Sequence, residues 1–411
     1  MKKLIALILA VLMVAGMFAG CAAKTESTDT KASDSEAAQT ETNANEETTD
    51  SSDASSETSE DAGELHIGVL APLTGNWAEH GKGFQVAMDM AAEEINAAGG
   101  VNGKKIVMEY GDTEGDNQKA TDVATQFAED PEIVAMLGDF SSGCCMAAAP
   151  VCDEYGLVLI SPSASNVAFA QMSEYCFSVG GKSSEEAPFL LTTGAAGIYG
   201  AKSVVIFGLN SDWGESAFAG AEAGAAEAGI EVLASEKYVS GETDFSALIT
   251  KAKAANPDMI IILDQAPAVL INQIRSAGID TPIGIFGAST SQEVIDLCGE
   301  NAEGCIVTGS FFLDENDPVD SVFQNTFTER AGFSPTVMAT SAYVVTYLVA
   351  HAAERCGDEV TREGIMEQLK ACDEDSLLGQ IVFDEDGNLS LHYRICRVED
   401  GAWKIVDYDY E

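Results

Sequence analysis

From residue 65 onward, short apolar runs rich in β-branched residues alternate with longer stretches whose apolar residues recur at helical spacing. Residues 65–70, 105–110, 133–137 and 157–160 read as strands, and 83–98, 117–129 and 144–155 as the helices between them. Strands alternating with helices give a parallel sheet covered on both faces. Gly99, Gly100 and Gly103 end one helix and turn the chain into the next strand. The same rhythm restarts after Phe177: strands at 203–207, 230–233, 259–263, 283–286 and 305–309, with helices at 184–196, 215–228, 245–254 and 266–277. Beyond Phe311 the pattern turns helical at 319–331, 336–355 and 361–371, then ends in short strands at 380–383, 393–398 and 403–408. Those late strands are expected to complete sheets already begun. About 350 residues in this part exceed one ordinary core, so two doubly wound α/β lobes are predicted.

The chain before residue 65 follows none of these periods. Lys2 and Lys3 precede an apolar run from Leu4 to Phe18, which ends in Ala19, Gly20 and Cys21. The run is too short to span a bilayer and reads as a signal peptide. Cys21 stands where a lipoprotein signal peptidase cuts, and a diacylated cysteine carries the two chains that stable anchoring needs. Residues 22–64 are almost all Thr, Ser, Asp, Glu, Ala and Asn, and read as a disordered acidic tether. The expected location is therefore the outer face of the cell membrane.

Charge narrows the partners. The 67 Asp and Glu against 21 Lys and Arg give a net charge of -46, which repels nucleic acid and anionic lipid surfaces. The ten cysteines match no zinc or haem spacing, and Cys144, Cys145, Cys152 and Cys176 read as small buried hydrophobes. Cys298 with Cys305, and Cys356 with Cys372, stay open as extracellular disulfides. The four histidines (His66, His80, His351 and His392) show no metal-ligand spacing. No nucleophile elbow or phosphate loop follows a strand, so neither catalysis nor a cofactor is expected.

Ligands of parallel open sheets bind beyond the carboxyl ends of the strands. In the first half these ends are residues 71–81, carrying Trp77 and His80; 138–143, carrying Phe140, Ser141 and Ser142; and 161–166, carrying Ala164 and Ser165. Two serines at a helix start, with glycines on both sides, suit an anion such as a carboxylate, although one serine there is also an ordinary N-cap. In the second half the corresponding loops are 208–214 with Trp213, 264–267 with Asp264 and Gln265, and 287–290 with Ser289.

The strings Ile67-Gly-Val-Leu-Ala-Pro-Leu-Thr-Gly75, Glu94-Ile-Asn-Ala-Ala-Gly-Gly-Val-Asn-Gly-Lys-Lys105, 137–142, 160–165 and Asp244-Phe-Ser-Ala-Leu-Ile249 run through both halves. With them the chain resembles the leucine/isoleucine/valine-binding family of type I periplasmic binding proteins, the substrate receptors of ABC importers. The resemblance covers residues 65–411 and implies two Rossmann-like lobes, 65–180 with 313–378 and 181–312 with 379–411, joined by crossings near Gly180, Phe312 and Leu378. It also implies a monomer that closes on an amino acid, with Ser141 and Ser142 holding the carboxylate, aided by Ala164 and Ser165, and Trp213 supplying an aromatic wall. Three departures stand out. His80 precedes Gly81 where the family often has an aromatic residue, and 177–184 lacks the family's Arg-Thr and Asp at the first crossing. The loop 287–290 lacks the acid that usually meets the ligand's ammonium, for which Asp264 is the nearest substitute. A sensory role, in which a lipoprotein binding a non-amino-acid acid or amide docks on a receptor, is the alternative to delivery to a permease.

Overall fold

A computed structural model describes residues 63–286, 292–310, 317–406 and 408. The signal peptide, Cys21, the tether, the crossing near Phe312 and Ser289 with its loop lie outside the described residues. Within them, strands β1 (Glu64–Ala71), β2 (Lys105–Asp112), β3 (Ile133–Gly138), β4 (Val158–Ser161) and β5 (Cys176–Ser178) form one all-parallel sheet in the order β2-β1-β3-β4-β5. The second sheet has seven strands. Its parallel part comprises β6 (Ser203–Leu209), β7 (Glu231–Tyr238), β8 (Met259–Leu263), β9 (Ile283–Ile285) and β10 (Ile306–Gly309).

The late strands divide between two structures. A short ribbon pairs β11 (Glu374–Ser376) with β12 (Gly379–Ile381), so the strand expected at 380–383 joins neither large sheet. Strands β13 (Arg394–Glu399) and β14 (Ala402–Ile405) add antiparallel to β10, which gives the order β14-β13-β10-β9-β8-β6-β7. The expectation that late strands complete a sheet holds for these two.

Each sheet carries apolar helices. On one face of the first, Phe84, Ala87 and Met88 of the helix Ala78–Ala97 meet Ala342, Val345 and Leu348 of the helix Val337–Arg355 over Ile67 and Val69. On the other face, Ala120 and Ala124 pack with Cys144, Cys145, Ala148 and Cys152 against Leu159 and Cys176. The four cysteines therefore act as small hydrophobes, and all nine cysteines among the described residues are free thiols, Cys298, Cys305, Cys356 and Cys372 included. Residues Ile381, Phe383 and Leu389 also enter the first core, beyond the crossing expected near Leu378. Ile395, Cys396 and Val398 enter the second, among Ile206, Ile261 and Ile306.

The helix expected at 184–196 has two parts. It is α-helical over Ser183–Phe189 and widens to a π-helix over Leu190–Ile198, just past Pro188, which has no N–H to donate. It lies against the helix Asp212–Ala228 at backbone distance. A Cβ on Gly220 would stand 2.7 Å from the Ser183 carbonyl oxygen, and one on Gly224 would stand 2.5 Å from the Pro188 Cα. Glycines one turn apart thus make the flat stripe on which the helix Ser183–Phe189 sits.

Arg362 ties the late helix Arg362–Lys370 to the early chain. Its guanidinium donates to the carbonyl oxygens of Ala128 (3.0 Å), Asp130 (2.6 Å) and Ile133 (3.0 Å), at the end of one helix and the start of β3. A cation on the last carbonyls of a helix satisfies acceptors that have no intrahelical donor. Arg362→Ala leaves them without it, and a loss of about 2–3 kcal/mol is expected in urea unfolding.

Candidate functional site

Between the carboxyl ends of the two sheets lies a cleft. Ser163, Ser165 and Val179 line it from the first core, and Trp213, Gln265, Phe286 and Thr308 from the second. Val337, Met338 and Ser341, from the start of the helix Val337–Arg355, and Leu391 complete its walls.

The loop after β4 is held by its own serines. Ser161 Oγ accepts from the amides of Ser163 (3.2 Å) and Ala164 (2.9 Å) and donates to the Asp139 carbonyl (3.0 Å). Ser163 Oγ donates to the Phe140 carbonyl (3.0 Å), and Ser178 Oγ to that of Ala164 (2.5 Å). These bonds lace the loops after β3 and β4 together. Asp139, fully buried, accepts from Thr113 Oγ1 (2.5 Å) and from the Ser141 amide (2.8 Å), and burial pushes its carboxyl up to about 6.

Ser141 is the N-cap of the helix Ser142–Tyr155, accepting from the Cys144 amide at 3.4 Å, and Ser142 is buried with its Oγ facing the Asn166 amide at 3.5 Å. Neither lines the cleft. Ala164 is buried behind Ser165, which does line it. Trp77, His80 and Phe140 form an aromatic group beside the cleft. Phe140 stacks on His80 with centroids 4.1 Å apart and rings 9° from parallel, and meets Trp77 at 5.5 Å. His80 lies in the first turn of the helix Ala78–Ala97 rather than in a loop, and burial lowers its imidazole to about 4, so it is neutral.

Two of the expected residues meet across the cleft. Trp213, in the first turn of the helix Asp212–Ala228, donates from Nε1 to Ser165 Oγ at 3.0 Å, and its ring meets Phe286 edge-on at 5.2 Å and 85°. Asn166 Nδ2 reinforces the seam by donating to the Asp212 carbonyl at 2.8 Å. Asp264 is turned elsewhere. Its carboxylate accepts from the Tyr238 hydroxyl (2.5 Å) and the Ala266 amide (2.9 Å), and it does not line the cleft, whereas its neighbour Gln265 does.

The residue missed by sequence reasoning is Glu186. It lies in the helix Ser183–Phe189, is 7% exposed, lines the cleft and accepts from Thr308 Oγ1 at 2.5 Å. The acidic pair Glu185-Glu186 just after the first crossing was the available signal. Val337, Met338 and Ser341 were missed too, because periodicity defines their helix but not where it points.

The family model described as "Periplasmic binding protein" matches residues 64–402. The chain belongs to that family. Periplasmic binding proteins work outside the cytoplasm and form a family of binding proteins. The chain is 28% identical over 347 residues to a "Leu/Ile/Val-binding protein homolog 1" of Brucella suis, with 82% of this chain and 91% of that protein covered. It is 26% identical over 329 residues to the "Leucine-, isoleucine-, valine-, threonine-, and alanine-binding protein" of Pseudomonas aeruginosa, covering 79% and 87% of the two. Among solved structures, the branched-chain amino acid transporter substrate-binding protein LivJ of Streptococcus pneumoniae, in complex with isoleucine, matches at 27% identity and a TM-score of 0.75, over 84% of this chain and 99% of that one. A solute-binding protein of R. palustris in complex with benzoate shares the fold, with a TM-score of 0.76 and 18% identity over 84% of this chain and 95% of that one.

In this periplasmic binding protein the seam makes two tests available. Trp213→Phe keeps a ring in the wall but loses the bond to Ser165; ligand affinity is expected to fall about 5-fold, read by calorimetry. Glu79 supplies the other. Its carboxyl is pushed up to about 7, first by a hydrogen bond shared with Glu293 of the second core, then by burial and by the Glu293 charge, against the pull of Lys82. A carboxyl whose folded pKa is raised contributes stability that is full below about 4.5 and lost as pH rises through about 7. Glu79→Gln mimics the protonated form. It is expected to melt above wild type at pH 8 and to lose that advantage by pH 4.5, measured as melting temperature against pH.

Proposed function

We propose that this periplasmic binding protein captures a small amino acid of the branched-chain type by hinge closure and hands it to the permease of an ABC importer. The observation that carries the reading is the bond from Trp213 to Ser165, which joins the loops of the two sheets directly over a cleft lined by both cores. The cleft pairs an apolar side of Trp213, Phe286, Val337, Met338 and Leu391 with a polar side of Ser163, Ser165 and Gln265. The first suits a branched aliphatic side chain, and the hydroxyls and amide suit a carboxylate. The relatives named for leucine, isoleucine and valine, and the isoleucine-bound LivJ, support the same ligand class.

The two lobes of this reading are residues 65–180 with 313 onward, and 181–312 with the last strands. In this reading the final crossing falls between Leu389 and Ile395, supported by Leu389 packing in the first core and Ile395 in the second. Ligand meets the first lobe and the second closes over it, shifting an open and closed equilibrium. Cys21 carries the lipid, the tether spaces the monomer from the membrane, and no chemistry is performed on the ligand.

A thermal-shift screen of the purified protein tests this. Leucine, isoleucine or valine at about 100 times its Kd is expected to raise the melting temperature by about 4 °C. A response confined to acids or amides without an amino group would move the protein to the sensory reading, and no response to any of these solutes would refute amino-acid capture.

A further inference from the structure

We infer that the carboxylate of Asp212 is an internal anion for the helix start at Ser141 and Ser142, and that it latches the two walls of the cleft together when they close; this rests on the hinge-closure reading. In the sequence, two serines between glycines at a helix start read as a seat for a ligand's carboxylate. Neither serine lines the cleft, and nor does Gly143. A carboxylate is there all the same, and the chain itself supplies it. Asp212 Oδ2 stands 2.8 Å from the point that a Cβ on Gly143 would occupy, so it lies against the first turn of the helix Ser142–Tyr155.

Three helices start around this point. Ser142 opens Ser142–Tyr155, Asp212 opens Asp212–Ala228, and Asn117, whose Oδ1 is 2.9 Å from the same point, opens Asn117–Glu129. The start of a helix carries partial positive charge, and its first amides have no acceptor within the helix. Two of these helices pack on the first sheet, through Ala120, Ala124, Cys144 and Ala148, whereas Asp212–Ala228 packs in the second core through Ala217 and Ala221. Closing the cleft therefore brings like-signed ends together, which is unfavourable unless an anion sits among them. The Asp116 carboxylate serves its own helix, accepting from the Lys119 amide at 3.0 Å, while that of Asp212 faces across the seam. Asp212 is held there on both sides: Asn166 Nδ2 donates to its carbonyl at 2.8 Å, and Trp213, next in the chain, donates to Ser165 Oγ. Gly143 leaves the room that the carboxylate fills.

The opposing explanation is that Asp212 only offsets the dipole of its own helix, as an acid in a first turn does. Stopped-flow capture and release of leucine, isoleucine and valine, with the melting temperature of the unliganded protein, separates the two. Asp212→Asn is expected to release all three about 5-fold faster, with capture rates changed by less than about 2-fold and the unliganded melting temperature within about 1 °C of wild type. Gly143→Ala makes the same test without touching the charge. Its methyl group meets only the ends of the Asp212 and Asn117 side chains, so the fold stands, Asp212 still opens its own helix, and its carboxylate is pushed off the neighbouring one. Release is again expected to quicken about 5-fold, and this variant decides alone should Asp212→Asn not fold. Release from Gly143→Ala no faster than from wild type would overturn the latch while leaving amino-acid capture intact, as would an Asp212→Asn variant that melts lower without ligand and releases at the wild-type rate. Wild type that binds none of the three amino acids removes the underlying reading, and this inference with it.

Discussion

A parallel strand covered by helices on both faces leaves little room for polar side chains except near its ends, and in open sheets the ligand site lies beyond the carboxyl ends; the architecture follows from that constraint. Strands β3, β4 and β8 are buried along nearly their whole lengths, and the polar residues begin where they stop: Asp139, Ser161 and Ser163 on one sheet, Asp264 and Gln265 on the other. Since the two sheets point these ends at each other, a binding cleft arises from the packing rule alone. The specific chemistry is then set by a few side chains at the seam.

Those side chains fall into two classes. Asp139, Ser161, Ser163 and Ser178 spend hydrogen bonds on one another's backbones, which makes the first wall rigid before any ligand arrives. Trp213, Glu186 and Thr308 sit on the second side, where Trp213 reaches across to Ser165 and Thr308 donates to Glu186. A ligand held between such surfaces shifts an equilibrium only through contacts that differ between its two states.

Most of the fold was legible because buried parallel strands and amphipathic helices have strong periods; the helix at 117–129 and the strand at 259–263 match residue for residue. Where the pattern is short it failed. Strand β5 has three residues, and the ribbon of β11 and β12 carries too little apolar character to say which sheet it joins. At the site, loop position singled out Ser165, Trp213 and Gln265, which follow strands, and all three line the cleft. Asp264 also follows a strand, but it accepts from Tyr238 and does not line the cleft. Glu186 and Met338 lie near the starts of helices, and no strand rule leads there. The placement of Glu186 depends on the close approach of its helix to Gly220 and Gly224, a tertiary fact.

The grip of Arg362 on the carbonyls of residues 128–133 has a consequence for the order of folding. The first core is assembled from the start and the end of the chain, with Phe84 and Met88 awaiting Val345 and Leu348. The second core is nearly continuous in sequence. During synthesis the earlier half must therefore stay incomplete until almost all of the polypeptide has emerged, while the middle has what it needs to form sooner. A chain that delays its own N-terminal collapse remains threadable for longer, which suits a protein whose working place lies on the far side of a membrane.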